Sequence, residues 1–144
     1  MIYLDYNATT PIDESAQDAM MPFIRGGFGN PSSTHAYGAA AKKAVDTARE
    51  QAAHLLGAHP SEIVFTGGGS ESNNMVIKGV AYSLRGKGNH IVTSRIEHPS
   101  VLNPCRFLEK NGYEVTYLPV DRYGAVDPED VGKAVTGGTI LVTI

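Results

Sequence analysis

Two short stretches of this chain bring together residue types able to do chemistry. The first is Phe65-Thr66-Gly67-Gly68-Gly69-Ser70-Glu71-Ser72-Asn73-Asn74, where three glycines and a hydroxyl follow the apolar run Ile63-Val64-Phe65. Each glycine loses more backbone entropy on ordering than any other residue, so a triplet is costly unless something approaches the backbone closely. Free N–H groups and a positive dipole end at a helix start suit an anion, and Ser70 adds a hydroxyl donor. A phosphate fits this pattern. So does a plain helix start with Ser70 or Ser72 as N-cap and glycine for tight packing. The stretch has neither the Gly-Lys-Ser/Thr of a P-loop nor the spacing of a dinucleotide fingerprint, so a phosphate bound here belongs to another cofactor.

The second stretch is Ser94-Arg95-Ile96-Glu97-His98-Pro99-Ser100. An imidazole at a strand end can stack on a ring, shuttle a proton or hold an acid. The alternative is a histidine satisfied by a backbone carbonyl and by Glu97. His35, His54, His59 and His90 show no metal-ligand spacing, and His54 and His59, five apart across Gly57, do not make a zinc pair. Cys105 stands at helical spacing with Val101 and Leu108 on an apolar face, has no sequence-local base, and reads as a core thiol.

The elements that must position these residues alternate along the chain. Residues 1–5 predict a short strand. Pro11 and Asp13-Glu14 open an amphipathic helix that Gly26-Gly27 ends, followed by the turn-rich loop Phe28–Gly38. A helix follows over about 39–56 with Gly57 just past its end, then a strand at 62–66 and a helix running to about Leu84. Strands at 90–94, 114–120 and 139–144 alternate with a helix beginning at Pro99 or Pro104 and another at Asp127-Pro128. This is an α/β pattern with a mostly parallel sheet and flanking helices. In such sheets ligands collect at the C-terminal strand ends, which places the glycine turn and His98 in one crevice.

Composition excludes several classes. The chain has 144 residues, 42% hydrophobic and 19% charged, as expected of a globular domain with a real core. A net charge of −3 gives no electrostatic footprint for nucleic acid or an anionic membrane. A single cysteine excludes an internal disulfide framework and fits a reducing compartment. There is no apolar run of membrane-spanning length and no basic n-region at the start, so the expected location is cytoplasmic. The last residues, Thr139–Ile144, are strand-like with no turn or polar tail behind them. That predicts the front part of a longer protein.

Taken in order and spacing, YLDYNATTP, FGNPSSTH, EIVFTGGGSESNN and SRIEHPSVL resemble the pyridoxal-phosphate-dependent cysteine desulfurases and the closely similar selenocysteine lyases. The resemblance covers essentially the whole chain. It implies the N-terminal part of the large domain of a fold type I, class V aminotransferase-like enzyme that works as a homodimer. Residues 1–38 would be the N-terminal arm, first helix and active-site loop, and 39–144 the first part of the cofactor-binding domain. The backbone around Gly69 and the Ser70 hydroxyl would bind the phosphate of pyridoxal 5'-phosphate. His98 would stack on the pyridine ring and take part in proton transfer.

The implied reaction removes sulfur from L-cysteine, giving L-alanine and an enzyme persulfide that supplies an iron–sulfur scaffold or a tRNA-thiolation pathway. Family members usually carry alanine then threonine where this chain has Gly69 then Ser70, a departure that keeps the hydroxyl. The family's Schiff-base lysine, its aspartate on the pyridine nitrogen and its loop cysteine would lie beyond residue 144. None of Lys42, Lys43, Lys78, Lys87, Lys110 or Lys133 has the family's lysine context. These residues alone are therefore expected to be inactive, with the remainder of the protein joined to them or present as a separate chain. By the family's strand order, the strand at 62–66 would lie apart from the other three. Selenocysteine lyase, or a non-catalytic module binding a phosphorylated ligand or a partner subunit, are the alternatives.

Overall fold

The computed structural model describes residues 2–144, and the chain divides into two compact units between Val64 and Phe65. In the first unit, α1 (Glu14–Arg25) starts at Asp13, whose carboxylate accepts from the Ser15 N–H at 2.9 Å. α2 (Ala36–Leu56) starts three residues earlier than its apolar spacing predicts, because the His35 Nδ1 accepts from the Gly38 N–H at 3.3 Å and caps it. Gly38 has to be glycine: a Cβ there would lie 2.3 Å from the Ser33 carbonyl oxygen and 2.8 Å from that of Asn30. α2 ends at Gly57, which takes a left-handed φ of 65° as expected of a residue past a helix end.

Two expected strands do not form. Residues 2–5 belong to no ladder, and the Asp5 carbonyl instead accepts from the Ala8 N–H at 3.0 Å. At 62–66, Glu62 closes a 3-10 turn (Pro60–Glu62) whose capping box pairs the Glu62 carboxylate with the His59 N–H at 2.7 Å. The Ile63 N–H donates to the Pro60 carbonyl at 3.2 Å, and the Ile63 carbonyl accepts from the Arg49 Nε at 3.3 Å. A β-branched run shows a preference for extended backbone, but a strand exists only through hydrogen bonds to a neighbour. Here the N–H groups of Glu62 and Ile63 are taken by a local turn and the Ile63 carbonyl by a side chain.

The second unit carries the sheet. β1 (His90–Ser94) lies between β2 (Glu114–Leu118) and β3 (Thr139–Thr143), all parallel, in the order β2-β1-β3. The three strands expected to associate do so. α3 (Gly69–Ser83) and α4 (Pro99–Glu109) pack on each other, with α3 against β3 and α4 against β2, and the short α5 (Pro128–Ala134) also touches β2. All five residues of β1 are buried, so the apolar Ile91 and Val92 take the polar His90, Thr93 and Ser94 into the interior with them. The core joins Ile77 and Ala81 of α3, Ile91 of β1, Val101, Cys105 and Leu108 of α4, and Tyr113.

Two buried polar groups are satisfied within this core. The Tyr113 hydroxyl donates to the Ala81 carbonyl at 2.9 Å. His90, which showed no role in the sequence, spans the sheet: its Nδ1 lies 2.8 Å from Thr139 Oγ1 on one neighbouring strand and its Nε2 2.9 Å from Thr116 Oγ1 on the other.

Leu108 is fully buried in this cluster. Leu108→Ala in the full-length protein is expected to cost about 2–5 kcal/mol, measured by chemical denaturation. Cys105 is the core thiol anticipated. Burial raises it from an ordinary 9.0 to about 11, with Glu109 and Glu97 adding to the rise. Between those values the unfolded chain releases the proton while the folded chain keeps it, so this group's contribution to stability falls as pH rises through that window. Near neutral pH a thiol-alkylating reagent is expected to modify Cys105 only after unfolding, read by peptide mass spectrometry.

Candidate functional site

α3 follows the glycine turn, and its start is unusual. Neither Ser70 nor Ser72 is the N-cap. That position is Gly68, at φ 158° and ψ 174°, and no side chain caps the helix. This backbone region is open essentially to glycine alone, so Gly68 is required by its conformation. The Ser72 hydroxyl is instead engaged with Thr66 Oγ1 at 2.7 Å, and the Glu71 carboxylate accepts from the Gly67 N–H at 2.6 Å. The positive end of α3 and its first-turn N–H groups are thus left without a side-chain acceptor. A Cβ built on Gly68 or Gly69 would meet nothing within 4 Å. An uncapped helix end with open space beside it fits a phosphate group.

Ser70 and His98 line one cavity of about 380 Å³ between α3 and α4. α3 contributes Ser70, Asn74 and Lys78, spaced four apart on one helix face; α4 contributes Ser100, Asn103 and Phe107 from successive turns. The Lys78 ammonium sits 4.7 Å from the Phe107 ring centroid, a cation–π contact that holds a positive charge on the cavity wall. No acidic residue lines this cavity. Its charge therefore favours an anionic ligand.

His98 is placed by the start of α4. That helix begins at Pro99, the earlier of the two candidate starts, with Pro104 inside it. His98 is its N-cap: Nδ1 accepts from the Ser100 N–H at 3.1 Å and lies 2.8 Å from the Ser100 hydroxyl. The Asn73 amide nitrogen on α3 donates to that hydroxyl at 2.8 Å. Glu97 is not the partner of His98; its carboxylate accepts from the Ser94 hydroxyl at 2.8 Å.

The structure thus brings Ser70 and His98 to one cavity and sets Gly69 at the start of the helix carrying Ser70. Asn74 and Lys78 were not singled out in the sequence, although counting in fours from Ser70 reaches both. Asn73 and Ser100 gave no such signal, because their meeting depends on how two helices pack. In the loop before α2, the Asn30 side chain accepts from the Ser32 N–H at 2.9 Å, which is ordinary turn chemistry. No group of three or more His, Cys, Asp or Glu side chains suited to a metal ion occurs among the described residues.

The chain is 56% identical over 143 residues to a cysteine desulfurase IscS from Dictyoglomus turgidum, covering 99% of this chain and 36% of that protein. It is 50% identical over 143 residues to another from Methanosarcina thermophila, covering 99% of this chain and 35% of that protein. The chain therefore spans about a third of the length of these curated relatives. Among solved structures, a NifS-like protein matches 98% of this chain and 39% of its own length with a TM-score of 0.93 at 40% identity. A structure of SspA in complex with cysteine matches 99% of this chain and 41% of its own length with a TM-score of 0.92 at 45% identity. The family model for class-V aminotransferases matches residues 2–144, and the chain belongs to that family.

Proposed function

We propose that the chain is the N-terminal portion of a pyridoxal-phosphate-dependent cysteine desulfurase. The observation that carries this reading is the shared cavity of Ser70 and His98 beside the uncapped start of α3. It is supported by relatives described as cysteine desulfurases and by a matching structure described as a complex with cysteine. L-cysteine is the substrate; L-alanine and an enzyme persulfide are the products. Residues 1–38 serve as arm, first helix and active-site loop, and 39–144 as the first part of the cofactor-binding domain. The protein works in the cytoplasm as a homodimer and passes its sulfur to an iron–sulfur scaffold or a tRNA-thiolation partner.

When bound, pyridoxal 5'-phosphate supplies an electron sink for the substrate carbon. This chain's own residues bind and orient it. The N–H groups at Gly69 and the Ser70 hydroxyl would hold the phosphate, with the α3 dipole adding to their attraction. The His98 ring would stack on the pyridine and handle a proton at Nε2, since Nδ1 is committed to the start of α4. The lysine, aspartate and sulfur-accepting cysteine of the reaction come from outside residues 1–144, so this portion alone does not turn over.

In the full-length protein, Ser70→Ala removes one hydrogen bond to a charged group, worth about 1.5–3 kcal/mol, and cofactor affinity is expected to fall about tenfold or more. Equilibrium dialysis measures this, and an unchanged affinity would remove Ser70 from the site. His98→Ala is expected to alter the cofactor's visible spectrum and depress turnover, while costing no more stability than the roughly 0.5–2 kcal/mol of a lost helix N-cap. A large loss of stability with an unaltered spectrum would make His98 structural.

A further inference from the structure

We infer that Asn73 and Ser100 are positioning residues that hold the His98 ring, in its uncharged form, as the tautomer with its proton on Nε2. Three hydrogen-bond distances carry this. The Ser100 backbone N–H points at His98 Nδ1 from 3.1 Å. A backbone amide can only donate, so at this distance it favours Nδ1 as an acceptor over Nδ1 carrying hydrogen, without settling the tautomer alone. The Ser100 hydroxyl, 2.8 Å from the same nitrogen, then has to donate to it. Its lone pair is filled from the other side by the Asn73 amide nitrogen at 2.8 Å. The direction is set throughout: Asn73 N–H to Ser100 oxygen, Ser100 O–H to Nδ1, leaving the ring proton on Nε2.

The packing supports the assignment. Asn73 and Ser100 are both partly buried, whereas His98 is exposed. Asn73 is next to Asn74, which lines the cavity, and Ser100 lines it directly. The pair also bridges α3 to α4, so the phosphate-binding helix and the histidine are tied by one polar link. An amide side chain at position 73 does not relay protons; it orients the hydroxyl. The chain therefore fixes which nitrogen of the ring faces a ligand with a donor, without itself being a path for the proton.

The consequence for catalysis rests on the cofactor reading above, whereas the tautomer does not, and the two are tested separately. Full-length, cofactor-free protein with 15N-labelled histidine is measured by long-range 1H–15N correlation NMR, with the His98 signals assigned by their loss in His98→Gln. The expected pattern is a pyrrole-type Nε2 and a pyridine-type Nδ1. Asn73→Asp replaces the donor by a carboxylate, which draws the Ser100 hydroxyl proton toward itself and turns an oxygen lone pair to Nδ1. The share of the Nδ1–H tautomer is expected to rise. Ser100→Ala, which leaves only the backbone donor, is expected to shift the ratio in the same direction by less, and Ser100→Thr to restore it.

A merely structural role for the pair would leave these ratios unmoved in every variant that folds. Wild-type protein with hydrogen on Nδ1, or an Asn73→Asp variant with the wild-type ratio, overturns the inference. In the cofactor-loaded protein Asn73→Asp should lower kcat by about tenfold, while cofactor affinity, held through Gly69 and Ser70, changes by less than about twofold. A tautomer shift in protein that binds no cofactor would defeat the functional reading and leave this one standing.

Discussion

A parallel strand whose two neighbours both run with it has to be reached through crossovers, and that constraint organises the second unit. β1 lies between β2 and β3, so the chain leaves its C-terminal end, crosses through α4 and returns as β2. A crossover must bury an apolar helix face against the sheet, and α4 does so with Val101, Cys105 and Leu108. The same path delivers the residue just before α4 to the strand-end edge of the sheet. His98 is that residue. Its position thus follows from crossover geometry, fixed by the burial that begins at Val101, about one turn further along α4.

The two helix starts at this site are treated oppositely. α4 is closed by the His98 ring, whose Nδ1 accepts from the Ser100 N–H. α3 is left open behind Gly68, with no side chain accepting from its first turn. An uncapped start forgoes the roughly 0.5–2 kcal/mol that a Ser, Thr, Asp or Asn cap normally contributes. Four candidate caps, Thr66, Ser70, Ser72 and Asn73, stand within a few residues, so the omission is not for lack of chemistry. Thr66 and Ser72 bond each other instead, and Asn73 reaches across to α4. With these side chains engaged elsewhere, the first-turn N–H groups of α3 have no side-chain acceptor, an arrangement that suits an anion.

Much of this was legible in the sequence where the cause is local. The alternation of helices with β-branched runs gave the α/β class, the helical spacing of Val101, Cys105 and Leu108 gave a core face, and Gly57 marked a helix end. Of the two expected strands that did not form, the one at 62–66 is the more instructive, since Glu62-Ile63-Val64-Phe65 has the composition of a strand but the Glu62 and Ile63 backbone groups bond to a local turn and to Arg49. Composition reports a residue's preference; only a neighbouring strand makes it a ladder. His90 was equally opaque, because its partners Thr116 and Thr139 lie 26 and 49 residues away. Asn73 and Ser100 meet across 27 residues and were opaque for the same reason.

The three glycines, which pose the first question of the sequence, turn out to do different things. Gly68 is demanded by its own backbone angles, whatever binds nearby. Gly69 is not: its φ carries no such restriction and a Cβ there would meet no atom of the chain within 4 Å. Glycine at that position therefore adds freedom to the unfolded chain without relieving a clash in the folded one. The alanine usual at this place in similar proteins would fit the same space, and the methyl of the usual threonine would sit on a residue already exposed at Ser70. What both sequences keep is a hydroxyl one residue inside an uncapped helix. Of the triplet, then, the backbone conformation demands Gly68, whereas glycine at 69 is compatible with the open helix start without being required by it.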